Sequence, residues 1–312
     1  MIKRIQNRVA ESRILLPIVT VYGVLVWLAA GLVTQQWWLQ FLSFAAATYM
    51  MVELNNQNAL IRIYSRMVSC SFIALSCLSC FLFASLDAAL STVTFVAFLL
   101  LLFRTYQDQQ SPGNTFYAYI LLGLSSLINI RILYFLPLFW LFMAFKIQSL
   151  SWRTFIASVL GTLLPYWFAA AYFAYKSDFS PMLEHFAQLG QISFPAEYQA
   201  LTLSQILSFA LLTVLSLTGA IHYLRTRYRD KIRTRMLFDC FIIIVAIAIV
   251  LLVLQPQHYT LLIVVITVCT SPLIAHFIAL THTRWTNAGF YVILAATFII
   301  TILNLWMLLF NS

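Results

Sequence analysis

Apolar runs long enough to cross a lipid bilayer, separated by short polar stretches, fill almost the whole chain. A helix needs about 20 predominantly apolar residues to traverse the hydrocarbon core. Sliding that window along the sequence predicts an all-α protein, a polytopic transmembrane helical bundle of about eleven spans, near residues 14–33, 38–54, 67–86, 88–103, 115–130, 131–146, 154–174, 203–223, 236–254, 258–280 and 287–309. Several of these are short for a full crossing, and 115–146 is one apolar run that must hold a tight hairpin. The first run, Ile14 to Val33, exceeds the apolar core of a secretory signal peptide and predicts an uncleaved span. Connections are short. The longest is the 175–202 loop, where Pro181 and Pro195 bracket a stretch carrying Asp178, Glu184, His185 and Glu197 among Phe179, Phe186, Phe194 and Tyr198. That mixture predicts a short amphipathic helix over Met182 to Leu189 lying along the membrane interface, with Phe186 and Leu189 towards apolar atoms and Glu184 towards water.

Composition turns this pattern into a statement about solvent. Of 312 residues, 62% are hydrophobic and only 9% charged, where a soluble domain carries about a quarter charged residues. Such a chain cannot cover its own surface with polar groups in water, so residues 1–312 are read as a single integral membrane domain. The net charge of +9 comes from 18 Lys and Arg against 9 Asp and Glu. In this context it points to loop topology and anionic lipid, not to nucleic acid. Lys3, Arg4, Arg8, Arg13, Arg62, Arg66, Arg104, Lys146, Arg153, the run Arg225 to Arg235 and Arg284 all fall on one side if the spans alternate. Only Arg131 and Lys176 fall on the other. The positive-inside rule then predicts a cytoplasmic N-terminus in a bacterial inner membrane, an external 175–202 loop, and an external Ser312. Trp27, Trp37, Trp38, Trp152, Trp167 and Trp285 sit near span ends, as an aromatic belt would.

Charged residues within the apolar pattern are the candidates for chemistry, because a bilayer makes them costly. Arg131, at the tip of the predicted hairpin, is read either as a cation holding a phosphate or as a side chain reaching the outer headgroups. No acidic residue lies between Asp108 and Asp178, so a partner for Arg131 must come from elsewhere in the fold or from a ligand. Glu184 and His185 offer an acid or base at the membrane surface, although neighbours on a helix point in different directions. Glu53 is read as a helix end, with Asn55 and Asn56 terminating the helix. Asp239 is read as an ion pair with Arg235, with no second buried carboxylate to receive a proton. Cys70, Cys77 and Cys80 share a helical face and are read as small packing residues, while His258, His276 and His282 are too scattered for metal ligation. His-Glu-x-x-His, Gly-x-Ser-x-Gly, Walker and dinucleotide-binding motifs are all absent from the sequence, so neither metal nor cofactor is expected.

Asn55 to Met67 (NNQNALIRIYSRM), Arg104 to Pro165 and Ser271 to Tyr291 (SPLIAHFIALTHTRWTNAGFY) together resemble an uncharacterised family of polytopic inner-membrane proteins of Bacteroidota. Leu121–Leu122–Gly123–Leu124, the basic Arg131, Leu136–Pro137, the turn from Lys146 to Arg153, and Gly161 with Pro165 are similar to part of the membrane half of GT-C-type polyprenyl-linked glycosyltransferases. Those enzymes carry an acidic catalytic residue in a sizeable first external loop. The corresponding loop here, about Thr34 to Trp37, has no carboxylate. The resemblance implies an envelope-assembly protein that handles a lipid or lipid-linked glycan substrate, as a degenerate relative of the transferases. The partners expected are membrane lipids, a lipid-linked glycan and other membrane proteins, with Arg131, Glu184 and His185 as substrate-binding residues. A transporter or flippase and a non-catalytic membrane scaffold are the alternatives.

Overall fold

The computed structural model describes residues 5–191, 198, 201–281 and 283–310. They form 13 α-helices and no strands, with 84% of the residues helical. Six helices are long and apolar enough to cross a membrane, which makes this a membrane protein: α5 (Leu86–Arg104), α8 (Trp152–Tyr175), α10 (Leu203–Thr226), α11 (Ile232–Leu254), α12 (Tyr259–Leu280) and α13 (Arg284–Phe310). A seventh crossing exists if α1 (Ile5–Glu11) and α2 (Leu15–Ala29), which meet at 88°, are counted as one bent span.

Helix α12 is apolar on every face, and such a helix is stable only when surrounded. It forms the axis: 94% of its span is buried, against 17% for α13. Helices α4 (Met67–Leu78), α5, α10 and α11 pack around it. Helices α3 (Trp38–Asn58) and α6 (Pro112–Ile128) flank α5, and α8 lies beyond α6. Helices α2 and α13 lie outside α4. Apolar residues on the outer faces of α8 and α13, among them Trp167, Phe168, Val292 and Ile299, are exposed, as a lipid-facing surface requires.

Small residues set the closest helix contacts. A Cβ at Gly161 of α8 would stand 2.6 Å from the Phe116 carbonyl oxygen, and one at Gly123 of α6 would stand 2.6 Å from that of Thr162. With no hydrophobic force to drive helices together in lipid, such backbone approach is what holds them. Gly219 plays the same part between α10 and Leu273 of α12.

All eleven apolar segments are largely helical, but several differ from expectation in length. The 67–86 segment is a 12-residue helix, α4, broken at Ser79 and followed by a 3-10 turn, Cys80–Leu82. The 131–146 segment is composite: a 3-10 turn (Ile130–Phe135), α7 (Leu136–Leu141) and a π turn (Phe142–Lys146). Asn55 and Asn56 do not end their helix. Helix α3 continues to Asn58 and closes on Ala59 at φ 48°, because Asn55 is buried and donates to the Ser65 carbonyl instead of capping the backbone. The N-terminal flank also holds an unexpected helix. Gln6 and Asn7 of α1 are buried and donate to the Ile278 and Thr281 carbonyls, which α12 leaves unpaired at its C-terminus.

The connections gather at two ends of the bundle. At one end Arg233 donates to Asn58 and the Phe103 carbonyl, Arg62 approaches Asp230, and Ser151 donates to the Gln109 carbonyl. At the other, Asn304 donates to the Leu78 carbonyl, Tyr134 to that of Leu189 and Gln257 to that of Gln191. Among the described residues the first end collects the basic loops, while Arg131 and Lys176 lie at the second. Not every tryptophan belongs to a belt. Trp27 is 2% exposed and stacks on Phe83 at 3.7 Å, whereas Trp152, Trp167 and Trp285 are exposed.

Candidate functional site

Two polar clusters lie at opposite ends of the bundle. The first is built where α6 stops. Asn129 turns extended (φ −141°), and its side chain accepts the Arg131 amide at 3.2 Å, which starts the 3-10 turn. The far side of that turn docks on the 175–202 segment through the Tyr134 hydroxyl, which donates to the Leu189 carbonyl at 2.7 Å. Within that segment α9 (Ser180–Ala187) starts with Pro181 in its first turn and runs into a 3-10 turn, Gln188–Gly190. The Asp178 carboxylate accepts the Ser180 amide at 2.9 Å, which holds its pKa below the ordinary value. Phe186 packs on Tyr166 at 5.1 Å, Leu189 is half-buried and Glu184 is exposed.

Arg131 is half-buried, and its Nε has no hydrogen-bond partner among the described residues. His258, at the start of α12, lies within electrostatic range of it. That imidazole is 5% exposed, and its Nδ1 is likewise buried without a partner. His185 is engaged elsewhere: its Nε2 lies 2.9 Å from the Ser126 carbonyl, and Tyr166 donates to the Ser126 hydroxyl at 2.8 Å. Glu184 and His185 therefore face different surroundings. Two nitrogen-bearing groups with free valences, one a guanidinium, form an arrangement suited to an anion. Phe194, Pro195, Glu197 and His282 lie outside the described residues.

The second cluster was not read from the sequence. Asp230, the one acid in the basic 225–235 run, is buried (side chain 2% exposed), with its carboxylate 3.1 Å from Nε2 of the fully buried His276. Arg62 lies 3.6 Å from the other carboxylate oxygen. The His222 ring sits 5.4 Å from that of His276, and Arg235 donates to the Asp230 carbonyl. A signal was present: a histidine on a helix apolar all round must find a partner. The spacing between 230 and 276 hid which one.

Asp239 also departs from expectation. It pairs with Lys146 at 2.7 Å and Arg227 at 3.9 Å instead of Arg235, one turn away. The π turn at 142–146 delivers Lys146 to it, and Asp230 supplies the second buried carboxylate that the sequence did not disclose. Glu53 accepts from Gln57, which in turn accepts from Arg104, so it caps a polar chain at the basic end. Cys70, Cys77 and Cys80 are buried free thiols, and no group of three metal-ligating side chains occurs among the described residues. No protein family matches this chain, and no curated protein or solved structure is significantly similar to it.

Proposed function

We propose that this chain is a multi-pass protein of a bacterial inner membrane, crossing it about eleven times from a cytoplasmic N-terminus, and that it handles a lipid or lipid-linked glycan substrate in cell-envelope assembly. The observation that carries this reading is the buried, unpartnered Nε of Arg131, with the equally unpartnered Nδ1 of His258 within electrostatic range of it. A guanidinium at that depth is costly unless an anion neutralises it. Arg131 lies at the end opposite the basic loops, so orientation does not explain it. A phosphate on a polyprenyl or lipid chain would meet the guanidinium fork from the headgroup region while its apolar tail stays in lipid. The sequence resemblance to GT-C-type transferases makes Glu184, exposed on α9, the candidate acid or base. His185 is tied to Ser126 and serves as a positioning residue.

Binding of a polyprenyl phosphate to the purified protein, with the unphosphorylated polyprenol as control, tests this. Arg131→Ala should weaken phosphate binding about tenfold to a hundredfold, the worth of a charged hydrogen bond. Arg131→Lys should recover only part of it, because an ammonium lacks the fork. Equal affinity for both ligands, unchanged in Arg131→Ala, refutes the reading. A second reading, proton-coupled transport, is favoured by the buried Asp230–His276 pair with His222 beside it. It requires substrate uptake into proteoliposomes that a pH gradient drives and Asp230→Asn abolishes.

A further inference from the structure

At the basic end, α2 and α13 part and leave a cavity of about 280 Å³. Its walls come from α2 (Leu15, Val19, Tyr22), one face of α4 (Cys70, Ala74) and one face of α13 (Phe290, Leu294), with Ile274 and Ile278 of α12 behind. Most of the lining is aliphatic or aromatic. An apolar cavity of about 150 Å³ already holds benzene, so this one accommodates a stretch of hydrocarbon chain. It opens between two helices whose outer faces are apolar, where Leu294 and Phe298 are exposed. The rings of Tyr22 and Phe298, 6.3 Å apart, bound it on the side away from the basic end. There Leu305 and Leu308 close α13 onto the cluster around Trp27.

The chain also supplies charge beside this cavity. Arg66 directly precedes Met67, which lines it, and lies within electrostatic range of Cys70, which does too. Arg8 and Arg13 are exposed and flank Val9 and Leu15, both lining residues, and Arg284 begins the helix that provides Phe290. Arg8, Arg13, Arg66 and Arg284 thus lie on the chain within one to six residues of the slot's lining, with Glu11 the acid among them.

We infer that this slot binds one anionic phospholipid, with an acyl chain between α2 and α13 and its phosphate among Arg8, Arg13, Arg66 and Arg284. The site is at the opposite end from Arg131 and is independent of the substrate reading. In lipid the acyl chain gains little from the hydrophobic effect, since the bilayer is as apolar as the slot. Packing therefore fixes where the tail lies, and the basic rim sets the headgroup preference. Helix α1 meets α2 at 88° and contributes Val9 to the lining, so the lipid would also fasten α1 to the bundle.

Native mass spectrometry of the full chain, released from detergent after incubation with phosphatidylglycerol or phosphatidylethanolamine, tests the site. One phosphatidylglycerol should be retained in preference to phosphatidylethanolamine. Arg66→Gln should weaken that retention about fivefold, the effect of one basic residue near an anionic headgroup. Ala74→Trp fills the slot from α4 and Leu294→Trp from α13. Whichever of the two keeps the wild-type melting temperature should lose the bound lipid. The inference fails if either folded variant retains phosphatidylglycerol as the wild type does, if both lipids are retained equally, or if added polyprenyl phosphate displaces phosphatidylglycerol from this slot at equal concentration.

Discussion

Replacing Gly161 by alanine adds one methyl group at one of the two tightest glycine contacts of the α6–α8 seam. Its Cβ would meet the Phe116 carbonyl oxygen at 2.6 Å, the Tyr119 Cβ at 3.0 Å and the Ile120 nitrogen at 3.2 Å. None of these atoms is the free end of a flexible side chain, so the backbones themselves must part. Restoring ordinary contact, which begins near 3.4 Å, moves α8 from α6 by about 0.8 Å. A gap of 0.5–1 Å forfeits roughly a quarter to a half of each dispersion contact along the seam, and overpacking of this kind costs about 1–3 kcal/mol. The better helix propensity of alanine returns up to about 1 kcal/mol, so a net loss remains. Thermal unfolding in detergent should show it, at about 2–4 °C per kcal/mol. Gly123→Ala, on the facing helix, should behave alike. The double variant should cost less than the two separately, since the first separation makes room for the second methyl. Gly113→Ala, with nothing within 4 Å of its Cβ, is the control. If Gly161→Ala and Gly123→Ala melt no lower than the wild type, close backbone approach does not hold α6 to α8.

Asp230→Asn should cost about 1–3 kcal/mol by removing the charged acceptor of a buried hydrogen bond, and should lower the melting temperature more than Lys146→Gln, whose pair reaches solvent with the Lys146 side chain 29% exposed. Because every native cysteine among the described residues is buried, single cysteines introduced at Ser177 and Tyr228 should react with an impermeant thiol reagent from opposite faces of the membrane. Labelling from the same face would overturn the eleven-span topology. The Asp178 carboxylate titrates below its ordinary value because it accepts the Ser180 amide, so its hold on α9 is complete at neutral pH and is lost as pH falls through that lowered value. A spin label at Leu183 should gain mobility over that range, and Asp178→Ala, which removes the acceptor, should be mobile at every pH. A label whose mobility follows pH equally in both proteins shows that the Asp178–Ser180 contact does not hold α9.

The hydrophobic pattern alone determined that this is an all-helical protein with helices apolar enough to cross a membrane, because bilayer thickness and backbone hydrogen bonding leave few other solutions. It also placed Arg131 as a cation without a sequence neighbour to pair with. Tertiary structure decided the rest. That α12 is the axis and α13 the rim could not be read from two runs of similar apolarity, since a transmembrane helix looks alike to lipid and to other helices. Asp239 took Lys146 instead of Arg235, and Asp230 found His276, because buried charges seek partners in space and the partners lay 93 and 46 residues away. Periodicity fixes which face of a helix a residue occupies, while only packing fixes what that face meets.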